Sequence, residues 1–216
     1  MMKMSTLNRG VFISFEGIDG CGKSTQVRML LNRLDEEGIN SKLVREPGGS
    51  KISEEIRSIL LKNHSEIMAS RAEALLMTAS RAQLTSQKIR PALEKGICVI
   101  ADRYKDSTLA YQGGGRGIDL DWLIKVNHFA TYEAEPDLTF YIDIDPEVGA
   151  KRRENLVSDR IESAGLDFQK DIRAKYLEIV DKFSERCVLV DGNLSIAEIS
   201  QRIWRITKDR ISIEKN

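Results

Sequence analysis

The sequence is poor in cysteine and has no long apolar run. Its three cysteines, Cys21, Cys98 and Cys187, lie far apart and form no CxxC pair, which argues against a zinc site and against a disulfide framework. No segment reaches the roughly 18 apolar residues of a membrane span, and residues 1–10 lack the apolar core of a secretion signal. We therefore expect a cytoplasmic protein without a membrane partner.

The sequence also lacks net charge. Its 33 lysines and arginines balance 33 aspartates and glutamates, so no overall positive field attracts a polyanion, and we expect no nucleic-acid partner. The chain has 216 residues, 41% of them hydrophobic. That is enough for one substantial core and short for two. We expect a single domain over residues 1–216.

Short β-branched runs alternate with stretches of helical periodicity along the chain. The predicted strands are 11–15, 42–44, 98–101, 138–144 and 188–190. The predicted helices are 24–37, 52–61, 71–95, 121–131, 168–184 and 196–208. All of these strands except the second are apolar almost throughout, as in strands covered on both faces. The alternation predicts an α/β fold with a five-stranded parallel sheet flanked by helices.

The strongest motif is a phosphate-binding loop after the first predicted strand, where residues 17–24 read GIDGCGKS and match GxxxxGK[ST]. The glycines let main-chain N–H groups face phosphate oxygens at a helix N-terminus. Lys23 adds a charge for the β- and γ-phosphates, and Ser24 can ligate Mg²⁺. We expect ATP and Mg²⁺ as cofactors. The expected nucleotide-binding residues are Gly17, Ile18, Asp19, Gly20, Cys21, Gly22, Lys23, Ser24 and Thr25.

An acid and a base follow the third predicted strand, at the edge where open α/β sheets hold ligands. Asp102 can hold the Mg²⁺ hydration shell or accept a substrate proton, and Arg103 can clamp a phosphate through paired N–H donors. A structural ion pair is the alternative. Arg81 shares a helix face with Met77, so it can bond a ligand carbonyl or be a solvated helix arginine. Spacing does not separate these two interpretations.

Two segments without clear periodicity predict loops: the glycine-rich 112–117 and the charged 151–162. The glycines indicate close approach of the backbone to something, or a tight connector. The charged segment, at about 150–162, predicts a lid whose cations swing over transferring phosphates. A solvated helix face is the alternative for such a run of charges.

Several separated motifs together resemble the thymidylate kinase family, whose members transfer a phosphoryl group from ATP to dTMP. The motifs are Phe15-Glu-Gly-Ile-Asp-Gly, Arg45-Glu-Pro-Gly-Gly49, Asp102-Arg-Tyr with Ala110-Tyr-Gln-Gly, and Pro136-Asp-Leu-Thr-Phe-Tyr-Ile-Asp. The resemblance runs from about Phe12 to about Gly192. It implies a P-loop nucleoside monophosphate kinase fold, dTMP as the substrate and a homodimer.

The resemblance also implies roles around the phosphates. Asp19 matches an acid beside the sugar and the transferred phosphate, Arg103 matches a clamp on the acceptor phosphate, and Arg57 resembles a second residue there. The variable positions of the phosphate loop carry no basic residue, as in the bacterial class that supplies the missing cation from the lid. The lid candidates are Arg152, Arg153 and Arg160. Catalytic roles are thus implied for Lys23, Asp19, Arg103, Arg153 and Arg160, with Ser24 and Asp102 at the metal.

For the nucleoside, Arg81 matches the residue that hydrogen-bonds thymine, with Thr108 and Gln112 in the same pocket. Tyr111 matches the tyrosine that crowds the 2′ position of the sugar and favours deoxyribose. Met77 stands where the family usually has a phenylalanine that stacks on thymine. A thioether covers an aromatic ring with less flat contact, so we expect weaker dTMP binding than in a relative with phenylalanine, or some tolerance of other pyrimidines.

Three alternatives remain open at this point. A P-loop kinase for another pyrimidine nucleotide or a nucleoside differs only in its acceptor site. A regulatory GTPase is disfavoured because the sequence has no NKxD segment to read guanine. A nucleotide-binding paralogue without catalysis remains possible on the same fold, since a fold does not determine a function.

Overall fold

The alternation of strands and helices is present in a computed structural model of the chain, which describes residues 9–154 and 159–214. The strands are β1 (Phe12–Glu16), β2 (Ser41–Arg45), β3 (Cys98–Asp102), β4 (Leu138–Asp143) and β5 (Cys187–Asp191). Their order in the sheet is β2-β3-β1-β4-β5, and each neighbouring pair is parallel. The predicted α/β class and five-stranded parallel sheet are confirmed.

Helices flank the sheet and connect its strands. They are α1 (Lys23–Glu36), α2 (Lys51–Leu61), α3 (Ser70–Leu84), α4 (Arg90–Glu94), α5 (Lys105–Thr108), α6 (Leu120–Ala130), α7 (Pro146–Arg152), α8 (Leu166–Lys182) and α9 (Ile196–Glu214). Two π-helical stretches, Thr85–Ile89 and Leu109–Gly115, and a 3₁₀ turn, Glu162–Ala164, complete the helical residues. Within the described part of the chain, no helix combines the length and apolarity needed to cross a membrane.

The central strand β1 separates two apolar layers. Its five residues are all buried, and successive side chains point to opposite faces of the sheet. Ile13 and Phe15 belong to the larger layer, whereas Phe12 belongs to the smaller one with Leu84 and Tyr104. Burying a side chain such as Phe12 contributes about 1.5–3 kcal/mol. The core thus fixes β1, and with it the loop that follows at the carboxyl end of the strand.

The fifth strand differs from the prediction that it is covered on both faces. β5 lies at one edge of the sheet, and Leu189 in it is 42% exposed. Its short run of apolar residues is the same pattern that marks the central strands. An apolar run alone therefore does not show that both faces of a strand are covered.

The glycine-rich segment 112–117, predicted as a loop, is helical over residues 112–115 and irregular only at 116 and 117. Residues 109–115 form wide π-helical turns, and their glycines allow α8 to lie against them. A Cβ added to Gly114 would come within 2.6 Å of Lys175 Cβ, and one added to Gly115 would come within 2.3 Å of the Phe168 ring. The close approach that the glycines indicate is thus an approach to α8.

The charged segment is also partly helical, since Lys151 and Arg152 end α7. This helix begins after Asp145, whose carboxylate caps it by accepting a hydrogen bond from the Glu147 N–H at 2.9 Å. Four positions of the expected lid, 155–158, lie outside the described residues. The predicted long helix 71–95 is helical throughout but changes to π-helical turns at Thr85–Ile89, just before Pro91. A proline inside a helix cannot donate to the turn before it, which a wider turn accommodates.

Candidate active site

The ends of three neighbouring strands meet at one edge of the sheet. The strand register pairs Phe15 with Asp102 and Arg45 with Asp102, so the segments that follow β1, β2 and β3 all start side by side. A cavity of about 540 Å³ opens at this edge. Ligands of open α/β sheets bind at the carboxyl ends of the strands. A cavity is thus present at the edge of the sheet where the sequence predicts a ligand site.

The phosphate loop connects β1 to α1. Gly22 adopts a left-handed conformation (φ 98°) immediately before the helix, which glycine tolerates without strain. The Lys23 ammonium donates hydrogen bonds to the carbonyl oxygens of Gly17 at 3.0 Å and Ile18 at 2.9 Å. The loop residues that line the cavity are Asp19, Gly20, Gly22, Lys23, Ser24 and Thr25. Ile18 and Cys21 are buried beneath the loop and support its shape.

A hydroxyl and a carboxylate lie together at the mouth of the loop. The Ser24 hydroxyl donates to Asp102 Oδ2 at 2.7 Å, and both residues line the cavity. Oxygen ligands of this kind are those that Mg²⁺ prefers, and it usually adds waters and substrate phosphates to one or two protein ligands. The pair therefore fits a magnesium ion that is shared with a bound triphosphate.

Arg103 links β3 to the phosphate loop. Its guanidinium forms an ion pair with Asp19 and donates to Gly17 O at 2.8 Å and to the Tyr111 hydroxyl at 2.9 Å. The Tyr111 hydroxyl in turn donates to Asp19 Oδ2 at 2.9 Å. Burial would raise the pKa of Asp19, but the charges of Arg103 and Lys23 and the Tyr111 hydrogen bond lower it to about 2. Asp19 is thus an ionised group between two cations.

Two further arginines contribute positive charge to the same wall. Arg57 Nη1 and Arg45 Nη1 donate to the carbonyl oxygen of Pro47 at 2.9 and 3.1 Å, and all three residues line the cavity. Burial and the neighbouring charge of Arg45 lower the pKa of Arg57. Arg45 also pairs with Glu54 at 2.8 Å. This wall suits an anion, since a phosphate would relieve the repulsion between the two arginines.

Arg81 is not a solvated helix arginine, because it is only 2% exposed. It donates from Nε to Glu46 Oε2 at 2.7 Å, from Nη1 to Thr108 Oγ1 at 2.8 Å and from Nη2 to Tyr104 O at 3.1 Å. The side-chain oxygen of Asn127 accepts a further hydrogen bond from Nη1. Burial raises the pKa of Glu46, which Arg81 opposes. The guanidinium is therefore held in one orientation on the cavity wall.

The remaining residues expected around a base also line the cavity. Thr108 and Gln112 are each 1% exposed, and Met77 is partly buried. The Gln112 amide donates to Glu73 Oε1 at 3.0 Å, which fixes its side chain from behind. Polar groups and one thioether therefore line the same cavity as the phosphate loop.

The lid arginines occupy different places. Arg152 donates to the carbonyl oxygens of Gly20 at 3.4 Å and Gly192 at 3.3 Å, and both Arg152 and Arg153 line the cavity. Arg160 does not line it. Its guanidinium lies 2.7 Å from Glu73 Oε2 and donates from Nε to Leu60 O at 2.9 Å. The catalytic role expected for Arg160 stays a prediction, and it requires Arg160 to leave Glu73.

Sequence reasoning missed several residues of the site. Glu46 lies inside a motif that the resemblance uses, yet no local pattern shows that its carboxylate holds Arg81. Arg45, Ser107 and Asp159 line the cavity as well. Tyr176 reaches the Arg103 side chain from α8. Its helical spacing from Ile172 is that of an ordinary core residue, so nothing in the sequence marks it.

The fold and the site define a P-loop nucleotide kinase, with a phosphate loop, an oxygen pair for a metal and an arginine-lined cavity beside them. The thymidylate kinase family model matches residues 15–203. The chain is 45% identical to the thymidylate kinase of Caldanaerobacter subterraneus subsp. tengcongensis over 201 residues, which cover 93% of this chain and 96% of the relative. It is 46% identical to that of Fervidobacterium nodosum over 196 residues, which cover 91% and 98%, and 39% identical to that of Bacillus cereus over 206 residues, which cover 94% and 99%. The chain belongs to the thymidylate kinase family.

Proposed function

We propose that this protein transfers the γ-phosphoryl group of ATP to dTMP and so forms dTDP and ADP. The observation that carries the proposal is that Lys23 of the phosphate loop and the buried Arg81 line the same cavity. A triphosphate on the loop and a pyrimidine monophosphate along the arginines would then lie side by side. The family membership of the chain supports the same substrates.

Positioning and charge neutralisation do most of the chemical work in this mechanism. The phosphate loop and Lys23 hold the ATP phosphates, and Arg103 with Arg57 holds the phosphate of dTMP. Asp19 keeps Arg103 oriented until the acceptor arrives. A monophosphate is already ionised near neutral pH, so the acceptor oxygen needs no strong general base.

We assign Ser24 and Asp102 as the protein groups that hold Mg²⁺. Their oxygens lie 2.7 Å apart at the mouth of the loop. When bound there, Mg²⁺ neutralises charge on the β- and γ-phosphates. Asp102 then supports the metal, and the protein supplies the alignment of the two nucleotides.

Base and sugar selection is assigned to the buried end of the cavity. Arg81 bonds a thymine carbonyl, which requires one of its N–H groups to leave its present partner, since all five are bonded within the protein. Thr108 and Gln112 lie beside it, and Met77 covers the ring face. Tyr111 crowds the 2′ position, and its hydroxyl is fixed between Arg103 and Asp19. A ring held in this way cannot easily move aside for a ribose hydroxyl.

We further propose that residues 1–216 act as a single domain whose segment at about 150–162 is a lid. Arg152 already contacts the phosphate loop through Gly20 O, and a Cβ added to Gly20 would come within 2.5 Å of Gly149 O. The base of the lid is thus packed directly on the loop. A closed lid also keeps water from the transferred phosphoryl group.

Production of ADP from ATP and Mg²⁺ tests the proposal, with dTMP, dUMP, UMP, CMP and thymidine offered separately. We expect dTMP to give the highest kcat/KM, dUMP to follow, and the ribonucleotides and the nucleoside to give little turnover. A higher kcat/KM with UMP or CMP would replace dTMP as the substrate. No ADP above the ATPase background with any acceptor would point to a nucleotide-binding protein without this activity.

We also propose that the chain forms a homodimer in the cytoplasm. Helix α3 packs on both α2 and α6, and all three helices carry large exposed apolar side chains. These are Ile52, Ile59, Leu75, Trp122 and Phe129, the last of which is 83% exposed. Such a surface suits a second copy of the chain.

Light scattering tests the dimer and should give twice the chain mass. Phe129→Glu should shift the mass towards that of the monomer. A monomeric wild-type protein would contradict the dimer.

A further inference from the structure

A buried carboxylate lies behind the acceptor-phosphate clamp, and the mechanism above does not use it. Glu16 ends β1 and is 1% exposed. Its Oε1 accepts a hydrogen bond from the Tyr104 N–H at 2.8 Å, and its Oε2 accepts from the hydroxyls of Ser107 at 2.6 Å and Tyr176 at 2.8 Å. Buried carboxylates are costly unless they are fully hydrogen-bonded, as this one is.

The same two hydroxyls also contact the clamp itself. Arg103 Nη1 donates to the oxygens of Ser107 and Tyr176, each at 3.3 Å. Both hydroxyls can therefore donate to Glu16 while they accept from Arg103, and they also lie 2.9 Å from each other. The carboxylate thus orients the guanidinium through two intermediates and makes no direct ion pair with it.

The backbone of Arg103 is fixed by the same strand end. Arg103 has a φ of 71°, a left-handed conformation that a residue with a Cβ adopts only when its surroundings hold it there. Its N–H donates to Phe15 O at 3.0 Å, and the next N–H, that of Tyr104, donates to Glu16. The last two residues of β1 therefore hold both ends of the strained residue.

We propose that Glu16 is a positioning residue for the acceptor-phosphate clamp, acting on Arg103 through Tyr104, Ser107 and Tyr176. The inference rests on the proposed function, in which Arg103 binds the phosphate of dTMP. A direct ion pair would neutralise part of the guanidinium's charge. The two hydroxyls instead fix its orientation and leave that charge for the phosphate. Asp19 bonds Arg103 directly and competes with the substrate, so the two carboxylates differ in their tasks.

Tyr176→Phe tests the side-chain route, and Tyr141→Phe is its matched control. The two rings are stacked, with centroids 4.8 Å apart, and both are almost fully buried. The Tyr141 hydroxyl bonds Asp143 and not Arg103. The hydrogen bond lost is long, at 3.3 Å, so its removal should have the effect of losing an ordinary hydrogen bond and raise the KM for dTMP about three- to tenfold in Tyr176→Phe. The KM for ATP should stay unchanged, and Tyr141→Phe should leave both values at those of the wild type.

Glu16→Gln tests the carboxylate directly, since it keeps the size of the side chain and an acceptor for the Tyr104 N–H. We expect a larger rise in the KM for dTMP than in Tyr176→Phe, a lower kcat, and an unchanged KM for ATP. If Glu16→Gln does not fold, Tyr176→Phe decides. Wild-type values for dTMP in Tyr176→Phe would overturn the inference and leave the proposed function intact. A wild-type enzyme that forms no dTDP would instead overturn the proposed function, and the inference with it.

Discussion

The phosphate loop and the acceptor pocket are built in different ways. The loop takes consecutive residues, Gly17 to Thr25, and offers main-chain N–H groups at the start of α1. The acceptor pocket takes single side chains from several elements, such as Arg57 from α2, Arg81 from α3 and Arg103 after β3. In the loop, main-chain N–H groups recognise the ligand. In the pocket, side chains recognise it.

This difference determines how each region keeps its shape. The loop is fixed by glycine conformations and by the strand and helix on either side. Each cation of the pocket is fixed by another polar group, as Glu46 and Asn127 fix Arg81. A change in the loop should therefore cost activity with little stability, whereas a change in the buried pocket should cost both.

The largest effect is expected when Arg81 is replaced by alanine. The change leaves the buried Glu46 carboxylate without its cation, and breaking a buried ion pair costs about 3–5 kcal/mol. Urea unfolding should show a loss of that size. Arg57→Ala, at a half-buried site, is the control and should change the free energy of unfolding by less than about 1 kcal/mol. Equal losses in the two variants would remove the distinction between buried and peripheral cations.

Lys23→Ala should lower activity strongly and change the free energy of unfolding little. Removal of a charge that stabilises the transferred phosphoryl group costs roughly 10²- to 10³-fold in kcat, by analogy with other preorganised donors. The free energy of unfolding should change by less than about 1 kcal/mol, because Lys23 lines the cavity and water can take its place at the carbonyl oxygens of Gly17 and Ile18. Lys51→Ala, at an exposed position, is the control. Turnover and nucleotide affinity at the wild-type level in Lys23→Ala would refute the phosphate-loop assignment.

The pH dependence of the free energy of unfolding should reveal the titration of Glu16. Burial first, and then the charge of Asp106, raise the pKa of Glu16 from 4.5 to about 7. A carboxyl with a raised pKa in the folded state stabilises that state below pH 4.5, and the stabilisation is lost as the pH rises through about 7. The wild-type protein should therefore lose on the order of 3 kcal/mol across this window relative to Glu16→Gln. Parallel curves for the two proteins would contradict this.

The smallest expected effect concerns Met77. Met77→Phe should lower the KM for dTMP about two- to tenfold, because stacked aromatic rings contribute about 0.5–1.5 kcal/mol beyond burial. The ratio of kcat/KM for dTMP to that for dCMP should rise with it. Met77→Leu is the control, with a similar volume and no ring. An unchanged KM for dTMP in Met77→Phe would show that the thioether already covers the base as well as a ring does.

The same contrast explains which structural features the sequence predicts and which it does not. The strands and the phosphate loop depend on neighbouring residues, and they were predicted within one or two positions. The surroundings of Arg81 were not, because its partners Glu46, Thr108 and Asn127 lie 35, 27 and 46 positions away. The strand end indicates Arg103 and the helix face offers Arg81 as one of two interpretations, whereas Arg57, Thr108, Tyr111 and Gln112 were placed in the pocket by the family resemblance.

The helical residues inside the two predicted loops have a similar cause. Glycines at 113–115 favour irregular structure locally, but packing against α8 makes these residues helical. Tertiary contacts outweigh local preference there. The charges at the start of the lid likewise obscure α7, whose beginning is marked by the cap residue Asp145 and by Pro146 in the first turn.

Separate binding of the two nucleotides, measured by calorimetry, tests most directly whether one cavity holds two independently built sites. The variants are Lys23→Ala and the double variant Arg81→Met with Glu46→Gln, which removes both buried charges together and so leaves neither unpaired. We predict that Lys23→Ala loses at least about tenfold in affinity for ATP with Mg²⁺ and keeps its dTMP affinity, while the double variant does the reverse. Equal weakening of both nucleotides in both variants, or no weakening in either, would contradict the two-site arrangement.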